Sequence, residues 1–235
     1  MLVHQGLAST VKEAQSLLMA GRITVEGERI EKAGALVPIK ANIHLSQPPP
    51  YVGRGGIKLE HALRYFRLDV TRSIALDVGA STGGFTDCLL KSNSKRVYSL
   101  DIGYGQLDQK IRDHPKVVVL ERTNARTPFK LEEPIDIATV DVSFISLTKV
   151  LLNISSHMLP GKPIVALVKP QFEAKRSEVG KGGVIRDPEI HAKVLARLIA
   201  WVVNHNLRLR NLTPSPLLGD AGNREFFLLL HTPST

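Results

Sequence analysis

Leu76-Asp77-Val78-Gly79-Ala80-Ser81-Thr82-Gly83-Gly84-Phe85 is the stretch on which the reading of this chain turns. An apolar run over residues 73–78 predicts a strand, the small residues after it a tight turn, and residues 85–91 a helix. A strand–turn–helix of this kind lets a ligand approach the backbone closely. Outward from it the two patterns alternate. Strands are expected over 96–102, 116–121, 135–141 and 163–169, helices over 146–159 and 188–205, and a final strand pair over 207–214 and 224–231. This predicts an α/β fold with a Rossmann-like, mostly parallel sheet and an antiparallel last strand, its ligands lying outside the carboxyl ends of the strands.

The 235 residues carry a net charge of +9, are 43% apolar and include a single cysteine, Cys88. One thiol excludes an internal disulfide and a multi-cysteine zinc site; it fits a reducing cytoplasm, and no metal site is expected. No apolar run approaches the ~18 residues of a membrane span, so no membrane partner is expected. The basic excess, spread over several segments, favours a polyanionic partner. Nothing in the sequence fixes an oligomeric state.

Ahead of the α/β pattern lies a small α+β module over residues 1–46. Ser9 is the expected N-cap of a helix over 10–20, Gly21 ends it, and residues 22–30 alternate around Gly27 as a hairpin, with a strand over 42–45. The order resembles an S4 RNA-binding module that is short at its amino end, with Lys12 and Arg22 placed for phosphates. Residues 47–56, containing Pro48-Pro49-Pro50 and Gly53-Arg54-Gly55-Gly56, are expected as a linker, and a helix over 57–66 carries Lys58. The α/β domain is then expected over 57–235.

The turn is not a dinucleotide fingerprint, since Ser81 replaces the second glycine of GxGxxG. Asp77 suits an ammonium group, Asp101 the hydroxyls of a ribose, and Asn124 an adenine edge. Together they describe S-adenosylmethionine, with Gly79, Ala80, Ser81, Gly83, Gly84 and Phe85 as its cradle and Ile102 and Asp141 beside it. Three rivals use the same residues: a nucleophile elbow with Ser81, Asp220 and His231 as a triad, a nicotinamide site, and a turn without a ligand.

The methyl acceptor can be narrowed by elimination. Asp141-Val142-Ser143-Phe144 lacks the prolines of amino-group methyltransferases, and Cys88 falls inside a helix rather than at a strand end. An oxygen acceptor remains, and a sugar hydroxyl needs a base. Asp141 and Lys169 end strands, Glu225 opens the last one, and Lys58 precedes the sheet. Lys169 is the expected base, Lys58 its charge partner, and Asp141 and Glu225 orient the two lysines.

Lys58, Asp141, Lys169 and Glu225 resemble the K-D-K-E tetrad of FtsJ-type ribose 2′-O-methyltransferases, although Ser81-Thr82 stands where those enzymes usually have Ala-Pro. Longer matches, DVGASTGGFTDCL at 77–89, DVSFISL at 141–147, VKPQFE at 168–173, VGKGGVIRDP at 179–188 and GNREF at 222–226, are similar to the TlyA family. That resemblance implies an S4 module joined to a Rossmann-like methyltransferase domain that modifies the 2′-hydroxyl of cytidine in ribosomal RNA, with free rRNA or ribosomal subunits as partners. Some members are labelled haemolysins. A membrane-lytic protein and a noncatalytic ribosome-binding module are the alternative readings. Arg54, Arg176, Lys181 and Arg186 are further candidates for RNA contact, the last three on a loop over 175–187 that Gly180, Gly182 and Gly183 are expected to let close over a withdrawn nucleotide.

Overall fold

The structure, a computed structural model, describes residues 1–19, 21–30, 32–47 and 49–234. Ala20, at the end of the first expected helix, Pro48 of the triple proline, and Thr235 lie outside the described residues. The chain divides into two compact units, Met1–Pro50 and Tyr51–Thr235.

In the first unit, α1 (Val11–Met19) is capped one residue later than expected. Thr10 Oγ1 accepts the Glu13 N–H at 3.1 Å, while the Glu13 carboxylate reaches back to the Ser9 N–H and hydroxyl. Gly21, at φ +62°, closes the helix: its N–H donates to Leu18 and that of Arg22 to Leu17, which satisfies two end carbonyls. Strands β1 (Ile23–Val25) and β2 (Glu28–Arg29) meet through Glu26 and Gly27, both left-handed, as a type I′ hairpin turn requires. β3 (Ile43–Leu45) pairs antiparallel on the other side of β1. Ala14 and Leu17 of the helix pack on Ile23 and Val25 of the sheet.

The second unit begins earlier than the sequence suggests. The helix expected over 57–66 starts at Arg54, so α2 (Arg54–Phe66) takes in Gly55 and Gly56 as its first turn. Tyr51 is already buried in a hydrophobic cluster, and the Val52 N–H donates to Asp87 at 2.9 Å. The glycines serve close approach rather than flexibility. A Cβ on Gly56 would enter the Tyr51 ring, and one on Gly84 would lie 3.0 Å from the Gly56 nitrogen. The first turns of α2 and α3 (Gly84–Lys91) can therefore lie against each other, which brings Lys58 toward the glycine turn.

The sheet follows in order: β4 (Ile74–Val78), β5 (Arg96–Leu100), the short α4 (Gln109–Arg112), β6 (Val117–Leu120) and β7 (Ile137–Val140). The helix expected over 146–159 is broken into a 3₁₀ turn at Leu147–Lys149 and α5 (Leu151–Ser155). It stops early because the chain is recruited to the sheet: Leu159 donates to the Ile135 carbonyl, and Met158 bridges Ile135. Then come β8 (Pro163–Val168), α6 (Pro170–Glu173), α7 (Pro188–Asn204), β9 (Arg208–Pro214) and β10 (Phe226–His231).

Seven strands lie in the order β6-β5-β4-β7-β8-β10-β9, and β10 inserts antiparallel between β8 and β9. Apolar side chains fill both faces, Leu76, Tyr98 and Val140 on one, Ala75, Val97 and Phe227 on the other. Because β10 runs backwards, its first residue, Phe226, sits beside Val168 at the carboxyl end of β8. Its last, His231, sits beside Pro163 at the opposite end of the sheet. This separates Ser81 from His231 by the length of the strands, and the hydrolase triad cannot form.

Candidate active site

The carboxyl edge of the parallel strands gathers the chemistry. Gly79 follows β4 at φ +85°, and its N–H donates to the Leu100 carbonyl. A Cβ there would collide with the Asp141 backbone carbonyl, so glycine is needed for both conformation and close approach. Beside this turn lies a cavity of about 430 Å³ lined by Gly79, Ser81, Asp101, Ile102, Asn124 and Asp141. Asp101 Oδ2 accepts the Ser81 N–H at 2.8 Å and Oδ1 accepts that of Gly103 at 2.7 Å, which fixes the carboxylate at the cavity wall. Ile102 is 70% exposed beside it. Asn124 Oδ1 accepts the Arg126 N–H. A smaller space of about 130 Å³ adjoins Gly55, Ala80, Gly84, Phe85 and Asp141. Gly83, at φ +95°, packs toward Leu107 and Ile111 and supports the turn from behind.

Asp77 is not at the cavity. It is fully buried and lines neither space; its carboxylate accepts the Thr86 hydroxyl at 2.7 Å and the Thr139 hydroxyl at 3.1 Å. Burial pushes its pKa up to about 7, against the pull of those two hydroxyls. The expected ammonium partner is instead a strut beneath the turn, tied on through Thr86 to Ser99.

The four residues taken from strand ends and α2 come together as two pairs. Lys58 Nζ donates to Glu225 Oε2 at 2.6 Å, with side chains 10% and 2% exposed. Lys169 Nζ lies 2.7 Å from Asp141 Oδ1 and donates to Ser143 Oγ at 2.7 Å. The glutamate feels the whole set: burial pushes its pKa up, Lys58 pulls it down, and Asp141 and Lys169 act on it with opposite signs. The arrangement is two lysine–carboxylate pairs, Lys58 with Glu225 and Lys169 with Asp141, each cation held by a carboxylate rather than by the other cation.

Sequence reasoning missed three neighbours. Ser143 stands in two segments read from the sequence, 141–144 and 141–147, without a role of its own. Phe144 is 91% exposed at the cavity mouth, in a left-handed conformation with its ring 5.1 Å from that of Phe172. Glu173, on α6 just after Lys169, accepts the Ser146 hydroxyl at 2.6 Å and the Leu147 N–H at 2.7 Å, clasping the segment that follows Asp141. A polar residue two places from a strand-end acid is the signal that could have found Ser143.

The basic candidates divide. Lys12, Arg176, Lys181 and Arg186 are exposed. Arg54 donates to the Leu218 carbonyl, and Arg22 spends Nε and a terminal nitrogen on the Ser46 carbonyl, bracing the first unit's sheet. The loop at 175–187 is fastened rather than free. Glu178 pairs with Arg197 through both oxygens, and the buried Asn223 receives the Ile185 N–H and donates to the Gly183 carbonyl. Only the short exposed stretch from Gly180 to Gly183 lies between these anchors.

Comparison with known proteins agrees with this anatomy. FtsJ-like methyltransferase matches residues 51–232 and S4 domain matches residues 1–43. Fold and site together define an FtsJ-like methyltransferase that carries an S4 domain. YqxC of Bacillus subtilis, described as an rRNA methyltransferase, is 44% identical over 99% of this chain and 84% of its own length. The 16S/23S rRNA (cytidine-2′-O)-methyltransferase TlyA of Mycobacterium tuberculosis is 39% identical over 98% of this chain and 88% of its own. A Streptococcus thermophilus structure described as a hemolysin superposes with TM-score 0.78 at 39% identity, covering 100% of this chain and 88% of that one. The chain belongs to the TlyA family. Among the described residues no helix is long and apolar enough to cross a membrane.

Proposed function

We propose that this chain transfers a methyl group from S-adenosylmethionine to the 2′-hydroxyl of a cytidine in ribosomal RNA, free or within a ribosomal subunit. The observation that carries the reading is the convergence of Lys58, Asp141, Lys169 and Glu225 at the edge of the sheet that also bears the glycine turn. The similarity to TlyA supports the choice of cytidine and of ribosomal RNA. The reaction belongs to the cytoplasm, where the free thiol of buried Cys88 is at ease.

The residues fit the cofactor. Asp101, Asn124 and Ile102 line the cavity beside the glycine turn, offering a carboxylate to a ribose and an amide to an adenine edge, and at Gly79 the backbone passes too close to the Asp141 carbonyl for any side chain. Asp141 Oδ1, buried and paired with Lys169 Nζ at 2.7 Å, would add negative charge beside a cationic sulfonium. When bound, the cofactor would supply a methyl group on a positively charged sulfur.

Lys169 removes the proton of the hydroxyl, and Asp141 holds its amine at the strand end. Lys58 and Glu225, buried as a pair, complete a fixed electrostatic frame that costs no reorganisation during the reaction. The aromatic face of Phe144 gives an unstacked base a surface to lie on. Lys12 and Arg22 in the S4 unit, and Arg54, Arg176, Lys181 and Arg186 in the catalytic unit, offer charge to phosphates. The test is methylation of ribosomal RNA with labelled S-adenosylmethionine and mapping of the product. Label on a cytidine 2′-oxygen is expected; label on a base overturns the reading.

A further inference from the structure

Lys169 Nζ is held by two groups of different kinds. Asp141 Oδ1, 2.7 Å away, gives charge without direction, because the contact is not aligned as a hydrogen bond. Ser143 Oγ gives direction: it accepts the one aligned hydrogen bond that Nζ makes among the described residues, at 2.7 Å. The hydroxyl is itself well placed by the fold. Phe144, immediately after it, turns left-handed at φ +62°, and Glu173 clasps Ser146 and Leu147 beyond. The other charged groups around the amine, Lys58 and Glu225, are engaged with each other and leave Ser143 unopposed.

Direction matters to an amine that acts as a base. A neutral primary amine carries two N–H bonds and one lone pair, and only the lone pair can take a proton. An acceptor that fixes one N–H stops free rotation about the Cε–Nζ bond and so restricts where the lone pair can point. We propose that Ser143 is a positioning residue for methyl transfer, holding the Lys169 amine so that its lone pair faces the ribose 2′-hydroxyl. This rests on the reading of Lys169 as the base.

The step balances as follows. The hydroxyl O–H bond breaks and its proton passes to Nζ. The oxygen forms a bond to the methyl carbon while the carbon–sulfur bond breaks, its electron pair staying on sulfur. The positive charge thereby moves from sulfur to Lys169, whose ammonium keeps Asp141 and Ser143 as partners. Ser143 is exposed, so the ammonium can return its proton to solvent at that side.

The experiment compares Ser143→Ala, Ser143→Thr and Lys169→Ala in steady-state methyl transfer to ribosomal RNA, with thermal unfolding as a control. Ser143→Ala should lower kcat by about 10- to 100-fold, the scale of a misplaced reacting group, while KM for cofactor and for RNA stays within about twofold. Ser143→Thr, which restores a hydroxyl, should recover most of the rate. An unchanged kcat in Ser143→Ala, a loss confined to KM, or an equal loss in Ser143→Thr overturns the proposal, provided Lys169→Ala is inactive. A fully active Lys169→Ala removes the reading of the base and the proposal with it.

Discussion

Lys58 Nζ and Glu225 Oε2 stand 2.6 Å apart although 167 residues separate them along the chain. The contact spans the catalytic unit from its first helix to the start of its last strand, and both side chains are almost wholly removed from water. A buried pair of this kind contributes little net stability, yet losing one partner strands the other charge in a poorly solvating interior.

Lys58→Met should therefore destabilise the protein by about 3–5 kcal/mol as well as abolish methyl transfer. The double variant Lys58→Met with Glu225→Leu should regain most of the stability and none of the activity. Denaturant unfolding beside a methyl-transfer assay separates the two effects. A double variant that regains activity would show the pair to be structural only.

Asp77 gives a prediction about pH. Its carboxyl ionises at about 7 in the folded protein against 3.8 for a free aspartate, because burial opposes the charge. A raised value means that its contribution to stability is complete below about pH 4 and is lost as pH rises through 7. The loss amounts to about 4 kcal/mol. Asp77→Asn, which has the same shape and cannot ionise, should flatten the fall in unfolding free energy between about pH 4 and pH 7. An equally steep fall in the variant would place the titration elsewhere.

Gly79→Ala tests the close approach at the turn. The added Cβ meets the Asp141 carbonyl and must sit at φ +85°. The left-handed strain costs ~1–2 kcal/mol, and the displaced Asp141 should lower kcat/KM by about 100-fold. A variant with normal kinetics would contradict the need for glycine at this close approach.

Much of this was legible in the sequence, and the rest was lost for physical reasons. Apolar runs alternating with helical patterns located the strands of the main sheet, and the strand-end positions of Asp141 and Lys169 marked the site. The helix over 146–159 was overextended because periodicity does not register that Met158 and Leu159 are drawn back to Ile135. Gly53-Arg54-Gly55-Gly56 read as a linker because composition does not distinguish glycines that flex from glycines over which another helix passes. Asp77 was misplaced for a third reason: its position just before the glycine turn does not reveal which side of the backbone its carboxylate takes. The partnering of Lys58 with Glu225 is a property of β10 running backwards, and that of Lys169 with Asp141 of β7 and β8 lying side by side; no local pattern states either.

Glu173 carries a prediction of its own. Its carboxyl is raised by burial, and the Ser146 hydroxyl and Leu147 N–H pull the other way. Glu173→Ala leaves both donors without their acceptor, at about 1–3 kcal/mol, and loosens the segment bearing Asp141 and Ser143. A fall in kcat of about tenfold is expected, with cofactor affinity preserved in calorimetric titration. A variant that loses cofactor binding and keeps kcat would move the role of Glu173 to the cavity.

The most direct measurement is single-turnover methyl transfer by Lys169→Ala, with cofactor affinity determined on the same preparation. The account predicts a rate lower by about 10²–10⁴-fold and cofactor binding unchanged, as expected when a general base is lost from an intact site. Transfer at the rate of the unaltered protein would contradict it.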